Sequence, residues 1–261
     1  VTTGEPSLVD LLRGALGRRE ILAFFQPQVD PASGRIVAAE ALARWRHPEH
    51  GIVSPDIFIP AAQQHRIIDD LGLFMVNEAW RAALNWNESG TPVEVSVNVS
   101  ATQLTSDRLT DHLRRLLIEA TMPAQAMTIE ITESEPFFDL PEAAERLRKL
   151  TARGLGISVD DFGLAHSSLA RLNDLPATEV KIDISMVQDE SDEGDASIRA
   201  IVEYAHELGV RVVAEGIETE SQRDRVVELG VERAQGFLFY RPMDRMALTR
   251  LLDEQFAAQR A

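Results

Sequence analysis

Val-Glu-Val-Ser-Val-Asn-Val-Ser, residues 93–100, alternates apolar and polar side chains without a break. A period of two belongs to a β-strand with unlike faces. Val95, Val97 and Val99 lie on one face, Ser96, Asn98 and Ser100 on the other. Met-Thr-Ile-Glu-Ile-Thr-Glu-Ser (127–134), Gly-Ile-Ser-Val-Asp-Asp-Phe-Gly (156–163) and Glu-Val-Lys-Ile-Asp-Ile-Ser (179–185) follow the same rhythm. Amphipathic stretches separate these runs, so the strands pair in parallel through helical crossovers. Parallel strands are normally apolar on both faces. A polar face that recurs on several of them implies a shared charged site.

Outward from these runs the same pattern continues. Helices are expected near 106–120, 141–153, 167–175, 195–208, 219–229 and 243–258. Glycine closes several of them and a β-branched run follows, as at Gly90, Gly154, Gly209 before Val210–Glu215, and Gly230 before Val231–Gly236. Two more strands precede residue 90, Phe24–Asp30 and Arg35–Trp45, joined by the turn Pro31-Ala32-Ser33-Gly34. So short a connection makes that pair antiparallel. Helices near 55–67 and 69–88 complete the first third. About eight strands with helices between them close naturally into a TIM-like (β/α)8 barrel whose first strand is antiparallel. No linker or low-complexity segment interrupts residues 1–261, which read as one domain. The chain begins at Val1 and is expected to be part of a longer protein with sensor or regulatory modules.

Composition narrows the partners. Lysine and arginine number 26 against 42 aspartate and glutamate, a net charge of −16 that repels nucleic-acid polymers and anionic membrane surfaces. Cysteine is absent, which excludes disulfides and thiolate metal sites and fits a cytoplasmic location. No apolar run approaches the roughly 20 residues of a membrane span. A small anionic substrate remains compatible with this charge if metal cations reverse the local sign.

In such barrels the active site lies at the C-terminal ends of the strands. Glu40, Asn98, Glu130, Asp160, Asp161, Lys181, Glu215 and Gln235 all fall late in a strand or just past one. Two carboxylates about 4 Å apart at an effective dielectric near 20 repel by roughly 4 kcal/mol. The five acidic residues therefore call for cations, and hard divalent ions suit their oxygens and that of Asn98. Asp160 and Asp161 reach one site together only where their strand ends; from there they can bridge two metals. The residues alone leave plainer readings open: Glu130 and Lys181 as a structural ion pair, Asn98 as a loop cap, His47 and His50 as loop residues beside Pro48.

The ordered motifs narrow this further. Phe25-Gln26-Pro27, Glu40-Ala41-Leu42, Arg44-Trp45-Arg46-His47-Pro48, Phe58-Ile59-Pro60-Ala61, Val97-Asn98-Val99-Ser100, Glu130-Ile131-Thr132-Glu133-Ser134, Asp160-Asp161-Phe162-Gly163, Lys181-Ile182-Asp183, Ala214-Glu215-Gly216-Ile217-Glu218 and Gln235-Gly236 occur in that order. Over nearly its whole length the chain resembles EAL domains, bacterial phosphodiesterases that hydrolyse cyclic di-GMP. The resemblance implies two Mg2+ or Mn2+ ions, one held by Glu40, Asn98, Glu130 and Asp160, the second by Asp160, Asp161 and Glu215. It implies in-line attack of water on a phosphodiester, giving linear pGpG. Glu215 would serve as metal ligand or general base, and Lys181 would orient the water or offset phosphorane charge. Glu133 would anchor the loop after the Asp-Asp pair. Gln26, Leu42, Arg44, Asp183 and Gln235 would contact or position the substrate, and the domain would act as a homodimer.

One segment departs from the family. Leu164-Ala165-His166 stands where these domains carry Thr or Ala, Gly, and Tyr or Phe. That loop links metal binding to dimer contacts in the family, so the change bears on rate, metal affinity and dimer coupling. It leaves open a catalytically weak or inactive cyclic di-GMP receptor signalling by conformation, while the strong acidity of the chain allows a third function, an interaction domain that binds no nucleotide.

Overall fold

A computed structural model describes residues 7–132, 140–163 and 171–260. Ser7 opens α1 (Leu8–Ala15) with a capping box, its hydroxyl accepting from the Asp10 N–H at 3.2 Å. β1 (Ile21–Val29) and β2 (Ile36–His47) form the expected hairpin. Asp30 Oδ1 accepts from the N–H groups of Ala32 and Ser33, and Gly34 takes φ +72° to return the chain. β3 (Gly51–Val53) extends β2; α2 (Pro55–Gln64) and α3 (Ile68–Glu88) then cross back to β4 (Glu94–Asn98). The chain continues through α4 (Ala101–Leu104), α5 (Asp107–Glu119), β5 (Met127–Thr132), α6 (Leu140–Thr151) and β6 (Gly156–Phe162). α7 (Arg171–Asp174), β7 (Glu179–Ile182), α8 (Ile184–Gln188), α9 (Asp192–Glu207) and β8 (Arg211–Ala214) follow. The last elements are α10 (Glu220–Glu228), β9 (Arg233–Ala234), β10 (Met243–Asp244) and α11 (Arg245–Arg260).

Pairing bears out the barrel. β2, β4, β5, β6, β7, β8 and β9 are parallel neighbours in that order. β1 closes the ring, antiparallel to β2 at Gln26↔Glu40 and to β9 at Val29↔Ala234. β3 and β10 are short antiparallel additions outside it. β8 and β9 are shorter than the sequence suggests, because only Val213 and Ala214 meet Arg233 and Ala234. Ser100 leaves its strand and becomes the N-cap of α4. α1, α4 and α8 were not expected; each is too short for a convincing helical period.

The alternation sorts the wall into two solvents. Val95, Ile129, Ile157, Val180 and Val212 face outward and are buried in the hydrophobic core between barrel and helices. Phe58 holds α2 edge-on against Trp45 of β2 at 6.0 Å, and Trp86 of α3 donates to Thr249 of α11 at 2.8 Å. Inward positions are mostly polar: Gln26, Gln28, Glu40, Ser96, Thr128, Glu130, Ser158, Asp160, Glu179, Lys181 and Arg233 are all buried, with Ala38 and Val213 among them. Barrels of this architecture ordinarily fill that space with branched apolar side chains. No described helix is long and apolar enough to cross a membrane.

Charges close the N-terminal end of the lumen. The first residues of β4, β7, β8 and β9 are Glu94, Glu179, Arg211 and Arg233. Arg233 reaches Glu94 at 2.7 Å and Glu179 at 3.2 Å; Arg211 reaches the same two at 3.0 and 3.5 Å. Two cations against two anions make a neutral plug. Burial raises the pKa of Glu179 and of Glu94 despite these partners. Replacing Arg233 with methionine leaves Glu179 short of a partner and should cost about 3 kcal/mol in a urea unfolding experiment. A loss under about 0.5 kcal/mol, the size of an ordinary surface change, would mean the plug carries no stability.

Candidate active site

Seven strands deliver the side chains that the sequence singled out to one mouth of the barrel. Asn98 ends β4 opposite Glu130 of β5, and Asp160 of β6 lies opposite Thr132. Glu215 and Gln235 stand just past β8 and β9. Lys181 of β7, 1% exposed at its side chain, occupies the centre. Its Nζ lies 2.6 Å from Glu215, 2.9 Å from Glu130, and 3.3 Å from both Glu40 and Asp160. The plain reading of Glu130 and Lys181 as an ion pair is therefore true, but incomplete: the ammonium serves four carboxylates.

Amides orient the first of them. Asn98 donates to Glu40 Oε1 at 2.7 Å, and Gln235 donates to Glu40 Oε2 at 2.7 Å. Gln235 also donates to Gln26 Oε1 and accepts from Gln28. Gln26 and Gln235 thus hold Glu40 in place, and Gln26 ties the group to the Tyr240 carbonyl.

Asp161 explains how neighbouring carboxylates face one site. Its φ is +57°, and the register between β6 and β7 shifts between Val159 and Phe162. The backbone twists at the strand end rather than beyond it. Asp161 N–H then donates to Asp160 Oδ1 at 3.0 Å. Oxygens of Asp160, Asp161 and Glu215 come within 4.8 Å of one another. A left-handed conformation is uncommon for a residue with a side chain, and Asp tolerates it better than most. Gly163 follows at φ +105°, where a Cβ would meet Met186 Sδ at 1.9 Å.

Burial and mutual repulsion set the protonation. Glu130 is driven well above the usual carboxylate range by burial and by the charges of Glu40 and Asp160, against Lys181. Glu215 is pushed up to about 8, chiefly by burial. Burial and Asp160 raise Asp161. Burial would raise Glu40 as well, but Lys181 and the amides of Gln235 and Asn98 outweigh it and hold Glu40 low. Burial would strip Lys181 of its proton, yet Asp160, Glu130, Glu215 and Glu40 raise its pKa well above normal. The donor set is entirely hard oxygen, with Asn98 turning its Nδ2 to Glu40 and leaving its oxygen for a cation. These residues fit divalent metal ions.

Other expected contacts surround this centre. Leu42 and Asn98 border a cavity of about 350 Å³ walled by Ile59 of α2 and by Leu71 and Met75 of α3. Arg44 is half-buried beside it and donates to the Ala43 carbonyl at 2.8 Å. Asp183 caps α8, its Oδ1 accepting from Ser185 N at 2.8 Å. His47 is buried at the end of β2 and accepts N–H bonds from Glu49 and His50, a turn-forming role rather than a metal ligand's. Glu133 and Leu164-Ala165-His166 lie outside the described residues. Gln28, Ser158 and the terminal plug are not marked by the sequence, and Ser96 is marked only as part of a polar face, although all continue the alternation that holds Asn98, Glu130 and Lys181.

Two measurements test this geometry. Glu215 carries its proton in the folded protein up to about pH 8, but loses it in the unfolded chain near its ordinary value of about 4.3. The folded state binds the extra proton between those values, so metal-free stability falls as pH rises from about 5 to 8. Thermal midpoints should decline over that window in wild type and less so in Glu215→Gln; equal declines would refute the assignment. Separately, Asp161→Ala should be about 1 kcal/mol less stable than Asp161→Asn, because asparagine accepts φ +57° more readily. Equal stabilities would show that the twist costs nothing.

The family model for the EAL domain matches residues 10–242. Over 235 residues the chain is 38% identical to the bifunctional diguanylate cyclase/cyclic di-GMP phosphodiesterase MucR of Pseudomonas aeruginosa, covering 89% of this chain and 34% of that protein. It is 35% identical over 240 residues to the cyclic di-GMP phosphodiesterase RocR of the same organism, covering 91% and 61%. The chain thus spans only part of the length of these curated relatives. The solved structure of the PaMucR phosphodiesterase in complex with c-di-GMP superposes with a TM-score of 0.85 at 37% identity, covering 91% of this chain and 98% of that one.

Proposed function

Because this chain belongs to the EAL domain family, we propose that it hydrolyses cyclic di-GMP to linear pGpG. The observation that carries this reading is the ring of Glu40, Glu130, Asp160 and Glu215 about Lys181, completed by Asp161 and Asn98 at the barrel mouth. The names of MucR and RocR, and the c-di-GMP in the related structure, support the substrate.

Two divalent cations, Mg2+ or Mn2+, would be held by Glu40, Asn98, Glu130 and Asp160 and by Asp160, Asp161 and Glu215. When bound they supply Lewis acidity, lowering the pKa of water and offsetting charge on the phosphoryl oxygens. The protein's own groups do the rest. Arg44 offers a planar fork to a phosphate. Leu42 meets the substrate at the edge of the cavity, and Asp183 would meet it from just past the end of β7. Glu215, ionised once the cations are bound, would take a proton from the attacking water as the new P–O bond forms in line with the breaking bond to the 3′ oxygen, which departs with the electron pair of that bond and takes up a proton from solvent. Lys181 stabilises the charge that develops on phosphorus-bound oxygen. Gln26 and Gln235 keep Glu40 oriented. Tethered sensor or regulatory domains, a homodimer and a cytoplasmic setting belong to the same reading; the greater length of MucR and RocR supports the first of these.

Incubation with cyclic di-GMP and Mg2+, with products separated chromatographically, should yield pGpG; none at stoichiometric protein with binding intact would overturn hydrolysis in favour of a receptor. Glu40→Ala and Asp160→Ala should abolish turnover while the protein stays folded, since Lys181 keeps three carboxylate partners in each. Retention of most activity in either would remove that residue from the metal site.

A further inference from the structure

At and below the acidic ring, three buried oxygens form no hydrogen bond among the described residues: Ser96 Oγ, Ser158 Oγ and Glu130 Oε1. Ser96 is 4% exposed, and Ser158 and Glu130 are 0%. Each unpartnered buried polar atom costs about 1–3 kcal/mol. Native interiors seldom leave such groups unsatisfied, and an ordered water is a common partner.

Topology gathers the three. They stand on adjacent strands β4, β5 and β6 and share the inward face. Ser158 lies opposite Glu130 on one side and opposite Glu179 on the other. Ser96 lies opposite Thr128, two residues before Glu130. The other oxygen of Glu130 is taken by Lys181 at 2.9 Å, so Oε1 is the atom left to face elsewhere. The Ser96 hydroxyl is near enough to draw the Glu130 carboxyl pKa down, and Ser158 does the same to Glu179. Neither hydroxyl reaches hydrogen-bond geometry. Polar groups that face one another without a well-formed direct hydrogen bond are where a bridging water sits. Serine is small where a barrel of this type normally places a branched side chain, which leaves room for one.

We propose that an ordered water is bound in the barrel lumen between Ser96 Oγ, Glu130 Oε1 and Ser158 Oγ, and that through it both serines are positioning residues for Glu130. A buried water makes about three hydrogen bonds, the number offered here. The two hydroxyls donate or accept as needed, and Glu130 Oε1 accepts when the group is ionised and can donate when it carries the proton. A cation fits the place poorly. The Lys181 ammonium already meets the same carboxylate, and Arg233 stands beyond Ser158 on Glu179. The water would fix the rotation of the Glu130 carboxylate and thereby the aim of its other oxygen into the mouth. That consequence rests on the metal-dependent function proposed above; the water itself does not.

The experiment pairs a high-resolution crystal structure with Mn2+ titration by electron paramagnetic resonance and metal-free thermal melts, on wild type, Ser96→Ala and Ser158→Ala. Density is expected in the lumen with contacts of about 2.7–3.0 Å to the three oxygens. Each variant should bind Mn2+ roughly tenfold more weakly, as loss of an outer-shell partner does, without melting higher than wild type. Absence of that density overturns the proposal, and so do contacts short enough for a cation. The positioning role is overturned if the variants bind Mn2+ like wild type and melt higher, the result expected when a methyl replaces a hydroxyl that truly has no partner. Failure of wild type to bind Mn2+ would refute the metal reading alone, and the lumenal density would then decide this one.

Discussion

One ammonium inside a closed barrel, Lys181 Nζ, lies within 3.3 Å of four carboxylates. Everything at the mouth depends on that contact. A buried ion pair is weak evidence of stability, since desolvation offsets much of its attraction. Four acids about one base are worse, because the acids repel each other. The arrangement holds because Glu130 and Glu215 retain protons and because amides share the load at Glu40. Such a site is charged in the sense that suits cations and a phosphodiester, and it lies where a barrel of this kind does its chemistry.

The cost of a polar lumen is met outside it. Each strand turns its valines and isoleucines toward the helices, where the hydrophobic core forms a sleeve around the barrel. The hydrophilic interior is then finished at both ends. Glu94, Glu179, Arg211 and Arg233 neutralise one another at the N-terminal end, and the acidic ring with Lys181 occupies the other. Between them stand the small hydroxyl side chains of Ser96, Thr128 and Ser158, with Ala38 and Val213 beside them. The mouth and the plug are two ends of one largely polar column, and Glu130 stands between Lys181 above and Ser158 beside it.

Asp160-Asp161 separates what a linear pattern can convey from what it cannot. Adjacent residues on a strand face opposite ways, so two aspartates in sequence predict a strand end. The strand instead runs on to Phe162 and twists at Asp161 to bring both carboxylates round. Only the pairing with β7, with its register shift, permits that. Asp183 is similar: its place after Lys181-Ile182 marked it for the substrate, while the fold also makes it the cap of α8.

Alternation gave the strands and their two faces, the amphipathic stretches between them made the pairing parallel, the short turn Pro31-Ala32-Ser33-Gly34 reversed the first strand, and position late in a strand marked the acidic and amide residues that gather at the mouth. These follow from periodicity, turn length and the rule that a strand buries one side, all local properties of the chain. The tertiary structure decided how the gathered charges are balanced. That Lys181 reaches four acids, that Gln26 and Gln235 serve Glu40, that Arg211 and Arg233 seal the far end, and that Ser96 and Ser158 stand unpartnered beside Glu130 are matters of distance between strands far apart in sequence. Electrostatic and hydrogen-bond energies depend on those distances over a few ångströms, and only closure of the barrel sets them.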